Sequence, residues 1–217
     1  MCNLRLAVAV VSAAIFSADA RAAAADYPSR PLRYVVATGP GGASDLLARI
    51  IGTALSEKLG VQVVIDNRPG AGNTVGAEIA AKASPDGHTL LSCNIASLAV
   101  GPALYRNLNY EPERDFAPLG MIASNANVLT INPSVPGTTI AEFVALAKSR
   151  PGKLNYATTG VGTSPQLSME LFRMQAGFTI AHVPYKGVGA ALVDLLGGRV
   201  EAMFSTVPAA LSSVRAG

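Results

Sequence analysis

Short apolar runs alternate with amphipathic helical patterns along the first half of the chain, from Leu32 onward. The apolar runs have the length and the Val, Ile and Leu content of buried strands, whereas the helical patterns place their apolar residues on one face. In chain order these segments are LRYVVAT (32–38), SDLLARIIGTALSEKLG (44–60), VQVVIDN (61–67), NTVGAEIAAKA (73–83) and HTLLSC (88–93). The alternation predicts a parallel sheet with helices packed on its faces.

A polar stretch with two prolines, NLNYEPERDFAP (107–118), interrupts this alternation, and we interpret it as a crossover into a second lobe. A capping box from Thr139 to Glu142 then predicts a helix start. The later segments are LGMIASNANVLTINP (119–133), TIAEFVALAKSRPG (139–152), LNYATT (154–159), SPQLSMELFRMQAG (164–177), TIAHVPY (179–185), GAALVDLLGG (189–198), RVEAMF (199–204) and PAALSSVRAG (208–217). We predict an α/β protein of two lobes, 26–118 and 119–217, each a sheet flanked by helices.

The first 25 residues have the pattern of a secretory signal peptide. Arg5 supplies a positive charge, an apolar run (6–16) follows, and small residues offer cleavage sites after Ala20 or Ala25. The run is too short for a membrane-spanning helix, which needs about 20 apolar residues. Cys2 precedes the run, which argues against a lipoprotein anchor. We therefore expect a soluble, exported mature protein.

Charge and cysteine content narrow the possible functions. The 217 residues carry 17 Lys and Arg against 14 Asp and Glu, and this net charge of +3 is dispersed. Such a distribution argues against nucleic acid binding and mildly favours anionic small molecules. Removal of the signal peptide leaves Cys93 as the single cysteine, so no intramolecular disulfide is possible. Because Cys93 lies in a strand pattern, we interpret it as a core thiol.

One junction design occurs twice, in YVVATGPGGASDLLARI (34–50) and in LNYATTGVGTSPQLSMEL (154–171). In both, a strand runs into a loop of Gly, Ser and Thr that opens a helix. The first turn of a helix has free N–H groups and a partial positive charge, so such a loop can bind a carboxylate or phosphate without Lys or Arg. Loops of this kind lie in the crevice beyond the carboxyl ends of the strands.

A simpler interpretation is that each loop only caps its helix. Ser44 and Ser164 are suitable N-cap residues, and Pro165 suits the first helical position. For one loop alone, both interpretations stay open. The occurrence of two such loops in an exported protein favours binding.

Nucleotide and catalytic motifs are poorly matched in this sequence. GPGGAS (39–44) departs from G-x-G-x-x-G at its last position, and GAGNTVG (70–76) has the wrong final spacing. The sequence has neither a nucleophile elbow nor a zinc-ligand spacing. We interpret His88 and His182 as structural, and Asp45, a conceivable base, as a helix-start residue. We therefore predict a protein that is not an enzyme, with no cofactor and no metal.

Several motifs together resemble the Bug family, the TctC-like extracytoplasmic receptors of tripartite tricarboxylate transporters. The motifs are YPSRPLRYVVATGPGGASD, NRPGAGNTVGAE, SPDGHTLL, PALYRNLNYEPERDFAPLG, KSRPGKLNYATTGVGTS, HVPYKGVGAALVDLLGGRVEAMF and the terminal RAG. The resemblance implies a two-lobe periplasmic binding protein that closes on a small carboxylate. It also implies delivery of the ligand to membrane permease subunits, without catalysis.

The resemblance also implies a set of ligand-binding positions, most of which are backbone amides and hydroxyl groups. They are Gly41, Gly42, Ala43, Ser44, Asp45, Asn73, Thr74, Asn94, Ser97, Ser124, Thr158, Thr159, Gly162, Thr163, Ser164 and Ser205. Three positions depart from the family pattern. Ile95 and Leu98 replace residues that are commonly small and polar, and Ser205 replaces a frequent Asp, which weakens the case for an amino-acid ligand.

The resemblance leaves the extent of the chain and its role open. Family members continue past RAG with a segment that completes the first lobe, so we expect that lobe to be incomplete if the chain ends at Gly217. A fragment with impaired binding is therefore one hypothesis. A module that senses carboxylates for a membrane signalling partner is another, and a small hydrolase or isomerase is the least favoured.

Overall fold

The computed structural model describes residues 27–216. The chain divides into a first unit, Met1–Arg30, and a second unit, Pro31–Gly217. Of the first unit only the irregular stretch 27–30 is described, so the predicted signal peptide and its predicted cleavage sites lie outside the described residues. Within the described part of the chain, no helix is long and apolar enough to cross a membrane.

A three-stranded parallel sheet forms the centre of the first lobe. Its strands are β1 (Leu32–Val36), β2 (Val63–Asn67) and β3 (Thr89–Ser92), in the order β2-β1-β3. Helix α1 (Ala43–Leu59) connects β1 to β2, and α2 (Thr74–Ala81) connects β2 to β3. Each crossover between the parallel strands of this sheet therefore contains a helix, as the alternating pattern predicts.

Short helices and an extended segment lead to the second sheet. After β3 these are a π-helix (Ala96–Val100), α3 (Gly101–Leu104) and α4 (Pro112–Asp115), whereas a 3₁₀ turn (Ala71–Asn73) directly precedes α2. The buried Tyr110 holds this region in place, since its hydroxyl donates a 2.5 Å hydrogen bond to the carbonyl of Ser97. Residues 116–126 have no regular structure.

The second sheet has four strands in the order β4-β7-β5-β6. Its elements are β4 (Asn127–Ile131), α5 (Ile140–Ser149), β5 (Asn155–Thr158), α6 (Ser164–Ala176), β6 (Ala181–Pro184), α7 (Val188–Leu196), β7 (Ala202–Thr206) and α8 (Val207–Ala216). Strand β4 is antiparallel to β7, unlike the strands of the first sheet, which are all parallel as predicted. The chain enters β4 through the extended segment rather than through a helix, and no βαβ crossover sets its direction.

Neighbouring residues of the central strands are buried on opposite faces of the second sheet. Tyr156 in β5 packs with Phe143 of α5 and Met169 of α6, whereas Ala157 packs in a cluster with Val188 and Leu195 of α7. Helices therefore cover both faces. The first sheet has a smaller cluster around Tyr34, Val36 and Ala48.

Candidate binding cleft

A cavity of about 470 Å³ lies beyond the carboxyl ends of β1, β3, β5 and β7. Both lobes contribute to its wall, together with the extended segment 120–125. The polar residues of the wall are Thr38, Ser44, Asn73, Ser92, Asn94, Ser124, Asn125, Thr159, Thr163, Ser164, Ser205 and Thr206. The position agrees with the crevice expected for parallel strands that are followed by helices.

In the first lobe, the start of α1 contributes Gly42, Ala43 and Ser44 to the wall. The N-cap is Gly42, with φ −85° and ψ 170°, and no side chain caps this helix. The prediction of Ser44 as N-cap is therefore wrong. Ser44 is the second helical residue, because the extended backbone that defines the cap lies at Gly42.

Asp45 stabilises the loop before α1 instead of contributing to the wall. Its carboxylate accepts hydrogen bonds from the backbone N–H of Gly41 at 3.0 Å, from Arg49 at 3.1 Å and from Asn67 at 3.0 Å. Partial burial raises the pKa of Asp45, but these hydrogen bonds outweigh it and hold the pKa below its usual value. A carboxylate engaged in this way is a poor general base.

The second lobe contributes the start of α6 in the same manner. Thr163 is the N-cap, but its hydroxyl donates to the carbonyl of Gly160 at 2.7 Å and does not cap the helix. Ser164 is the first helical residue and Pro165 the second, so the predictions of Ser164 as N-cap and of Pro165 as first residue are both wrong by one position. Thr163, Ser164 and Pro165 all line the cavity.

The helices that begin at the cavity share the lack of a side-chain cap. The described chain shows the N-cap of five helices that have eight or more residues. Four of these helices have an N-cap on the cavity wall: α1 at Gly42, α2 at Asn73, α6 at Thr163 and α7 at Gly187. None of these four has a side-chain cap hydrogen bond. The fifth, α5, begins away from the cavity and has the complete Thr139–Glu142 capping box.

Three wall residues have a buried side-chain atom with no hydrogen-bond partner in the described protein. These atoms are the hydroxyl oxygens of Thr38 and Ser205 and the amide nitrogen of Asn73. Ser205 is only 1% exposed and Asn73 only 3%. Buried polar groups are normally paired, so three unpaired groups on one wall mark it as a place for a polar ligand.

Ten of the predicted ligand-binding residues lie on the wall of the cavity, and they come from both lobes. They are Gly42, Ala43, Ser44, Asn73, Asn94, Ser124, Thr159, Thr163, Ser164 and Ser205. The other six are Gly41, Asp45, Thr74, Ser97, Thr158 and Gly162, which the structure places outside the lining set. Several of these make internal contacts: Thr74 and Ser97 donate to the carbonyls of Ala71 and Asn94, and Gly162 donates its N–H to Gln166.

Five further residues that were not predicted from the sequence also line the cavity: Thr38, Ser92, Asn125, Thr206 and Gly187. Thr38 and Ser92 lie at or just beyond the ends of β1 and β3, so their positions in the strand pattern were an available signal. Cys93 follows β3, is half-buried and lines the wall, so it is not a core residue of the strand. Burial raises the pKa of its thiol, which makes it a poor nucleophile.

A buried network supports the loop between β5 and α6. The hydroxyl of Thr158 lies 2.6 Å from Nε2 of His182, and the His182 ring stacks on Tyr156 at a centroid distance of 5.0 Å. Tyr156 donates a 2.7 Å hydrogen bond to Glu170. Burial lowers the pKa of His182, and the nearby Glu170 carboxylate only partly offsets this. His182 is thus a structural residue of the second lobe.

The two lobes meet through glycine residues beside the cavity. A Cβ atom on Gly39 would lie 2.9 Å from the carbonyl oxygen of Lys186 and 3.2 Å from Cα of Gly187. A Cβ on Gly72 would lie 2.2 Å from the carbonyl oxygen of Val161. These separations leave no room for a side chain, so the backbones of the two lobes touch.

This arrangement, with two α/β lobes around a cleft, defines a periplasmic-binding-protein fold. The MatC protein of Rhodopseudomonas palustris, solved with bound malate, is 31% identical and superposes with a TM-score of 0.81 over 87% of this chain and 64% of its own. An R. palustris protein solved with adipate is 37% identical, with a TM-score of 0.85 over 88% of this chain and 64% of its own.

Sequence comparison assigns the chain to a family. The model of the tripartite tricarboxylate transporter family receptor, TctC, matches residues 47–217, and the chain belongs to this family. Protein BugT of Bordetella pertussis is 38% identical over 99% of this chain and 67% of BugT. The chain thus spans about two thirds of the length of these relatives.

Proposed function

We propose that the protein is a periplasmic receptor that captures a small carboxylate between its lobes for a tripartite tricarboxylate-type transporter. Membership of the TctC family and the adipate and malate complexes of its relatives support this proposal. The permease subunits are the proposed partners. We propose the predicted lobe division at residues 118 and 119, and the ten wall residues as ligand contacts.

The observation that carries the proposal is the group of uncapped helix starts around one cavity. Free N–H groups and the helix dipole favour an anion at each start, and a side-chain cap would compete for the same N–H groups. Helix α5, which begins away from this cavity, shows that the chain can provide a full cap. A carboxylate can therefore bind without a cationic side chain.

Thermal unfolding with a panel of acids tests the proposal. We expect hexanoate, benzoate, malate, adipate or citrate to raise the melting temperature, followed by circular dichroism because the chain has no Trp. A ligand at a hundred times its Kd stabilises the fold by about 2.7 kcal/mol. For a domain of this size that is roughly 5 to 11 °C. A melting temperature unchanged by every acid would contradict the proposal.

A carboxylate-sensing module is the second candidate, since a binding cleft serves either role. Binding alone does not separate the two. Uptake of the bound acid into cells that carry the permease subunits would favour transport, whereas a transcriptional response without uptake would favour sensing.

A further inference from the structure

The loop that connects β1 to α1, residues 38–42, sets the position of the first uncapped helix start. Its sequence, TGPGG, offers little for the protein to pack against, because three of its five residues are glycine. Gly41 lies in the left-handed region, with φ +83°. Glycine loses more conformational freedom on ordering than any other residue, so contacts from outside the loop must hold this segment.

Asn67, the last residue of β2, supplies these contacts. Its side-chain amide nitrogen donates to the carbonyl oxygen of Thr38 at 3.1 Å and to a carboxylate oxygen of Asp45 at 3.0 Å. The other carboxylate oxygen of Asp45 accepts the N–H of Gly41 at 3.0 Å. One amide group therefore connects the first residue of the loop with the first turn of α1.

The sheet fixes the position of Asn67. Its backbone lies opposite Val36 in the parallel register of β1 and β2, and its side-chain oxygen accepts from Arg49 at 3.4 Å. A side-chain amide has two N–H groups, one for each of the two acceptors. Asn67 is half-buried and lies outside the cavity wall, so it can act on a ligand only through the loop.

The loop presents two kinds of group to the cavity. The hydroxyl of Thr38 is buried and has no partner in the described protein. Gly42 is the N-cap of α1, so the free N–H groups of that helix begin directly after it. Among its described residues the wall has no Lys, Arg, His, Asp or Glu. Hydroxyls and backbone N–H groups cannot follow a ligand as a long cationic side chain can, so the affinity depends on their placement beforehand.

We propose that Asn67 is a positioning residue for carboxylate binding. Its two donated hydrogen bonds hold the loop 38–42 in place, so that the Thr38 hydroxyl and the start of α1 are directed at the ligand before it arrives. The inference rests on the proposed function, because it concerns the same cleft. A receptor without these two bonds folds, has a more mobile loop and binds carboxylates more weakly.

Two substitutions of Asn67 test this inference by calorimetric titration with malate, adipate and benzoate. Asn67→Asp keeps the size of the side chain and replaces both donated hydrogen bonds with a second acceptor beside Asp45. Asn67→Ala removes the donors without adding a charge. We expect both variants to bind about tenfold more weakly, because they lose two hydrogen bonds that fix the loop, one of them to a carboxylate. NMR order parameters of the Gly41 and Gly42 amides should decrease in the free variants.

Asn132→Ala is the matched control. Asn132 is buried outside the cavity wall, and its side-chain amide nitrogen also donates to two oxygen atoms, the carbonyls of Leu195 at 2.6 Å and Leu196 at 3.2 Å. This variant loses as many donated hydrogen bonds as Asn67→Ala, so its melting temperature should fall by at least as much. Its affinity and the order parameters of Gly41 and Gly42 should stay unchanged.

Each outcome decides a different point. Unchanged affinity of both Asn67 variants would overturn the positioning role and leave the receptor function standing. Weaker binding with an equally ordered loop, or an equal loss of affinity in Asn132→Ala, would also overturn that role. If the unaltered protein binds neither these acids nor any other acid of the panel, the proposed function and the inference fail together. Melting curves establish that the variants are folded.

Discussion

Two buried serine hydroxyls, at Ser205 and Ser97, differ in whether the protein satisfies them. Ser97 donates to the carbonyl of Asn94 at 3.1 Å, whereas Ser205 has no partner in the described protein. Ser205 also lines the cavity and Ser97 does not. An unsatisfied buried hydroxyl costs the fold about 1 to 3 kcal/mol, so Ser205 is better explained by ligand binding than by stability.

Ser205→Ala should therefore leave the melting temperature of the free protein unchanged or slightly raised. The same change should weaken carboxylate binding about tenfold, the effect of one lost hydrogen bond to a charged group. Calorimetry of Ser205→Ala measures its affinity for the carboxylate, and a thermal melt of the same variant measures its melting temperature.

Ser97→Ala is the matched control for this prediction. It removes a satisfied hydrogen bond, so we expect a loss of about 1 kcal/mol in the free energy of unfolding with unchanged affinity. If both variants lowered stability and spared binding, the assignment of Ser205 to the ligand site would be wrong.

His182 should make the stability of the protein depend on pH. Burial holds its pKa in the folded protein below the ordinary value near 6.5, so the unfolded chain takes up the proton first as the pH falls. Stability should be fully present above pH 6.5 and decrease from there toward the folded pKa. In melting curves between pH 7.5 and about 5, His182→Gln should reduce this decrease. An unchanged slope would contradict the assignment.

The residue types in the sequence indicated an uncharged cavity wall, but they did not indicate which residues line that wall. The prediction that Gly, Ser and Thr carry the site agrees with the uncharged wall, because residue type determines which groups are available. The sequence did not separate Ser205 from Ser97 or Thr159 from Thr158. Which of two adjacent residues faces a cavity depends on strand register and on partners distant in sequence, such as His182 for Thr158.

At the scale of elements, helix starts fall into two kinds. The capping box of α5 was predictable because Thr139 and Glu142 are local partners three residues apart. The starts of α1 and α6 were predicted one or two residues late, because their loops are fixed by other bonds, from Gly41 to Asp45 and from Thr163 to Gly160. The direction of β4 was not predictable either, since its partner β7 lies 71 or more residues further on.

A substitution at the start of α1 tests the role of uncapped helices. The φ and ψ of Gly42 suit any residue, and a Cβ there would make an ordinary 3.7 Å contact with Val188. Gly42→Asp should cap α1 and raise the melting temperature of the free protein by about 1 to 4 °C. It should also abolish carboxylate binding, because the new carboxylate occupies the anion position.

The reverse change is the control for this prediction. Thr139→Ala removes the cap of α5 and should lower the melting temperature by roughly 2 to 4 °C with no change in affinity. Undiminished carboxylate binding by Gly42→Asp would show that the start of α1 does not hold the anion.

At the scale of the whole molecule, glycines let the lobes approach each other. Gly39 has no positive φ, so alanine there meets only the steric barrier of Lys186 and Gly187. Gly39→Ala should keep the lobes apart and weaken carboxylate binding about tenfold or more, with less ligand-induced compaction in small-angle scattering.

Gly189→Ala is the matched control, because it adds the same methyl group where no atom lies within 4 Å. In helix α7 it should stabilise the fold by up to about 1 kcal/mol and leave affinity unchanged. Equal affinities of Gly39→Ala and the unaltered protein would show that binding does not need this contact.

The central claim is that uncapped helix starts hold the ligand carboxylate. Amide NMR spectra during a titration with hexanoate or adipate test it most directly, because they report on the N–H groups themselves. We predict that the resonances of Ser44, Ser164 and Val188 shift as either acid binds, while those of Ile140 and Ala141 in the capped helix do not. Saturable binding that leaves the first three resonances unmoved would contradict the account.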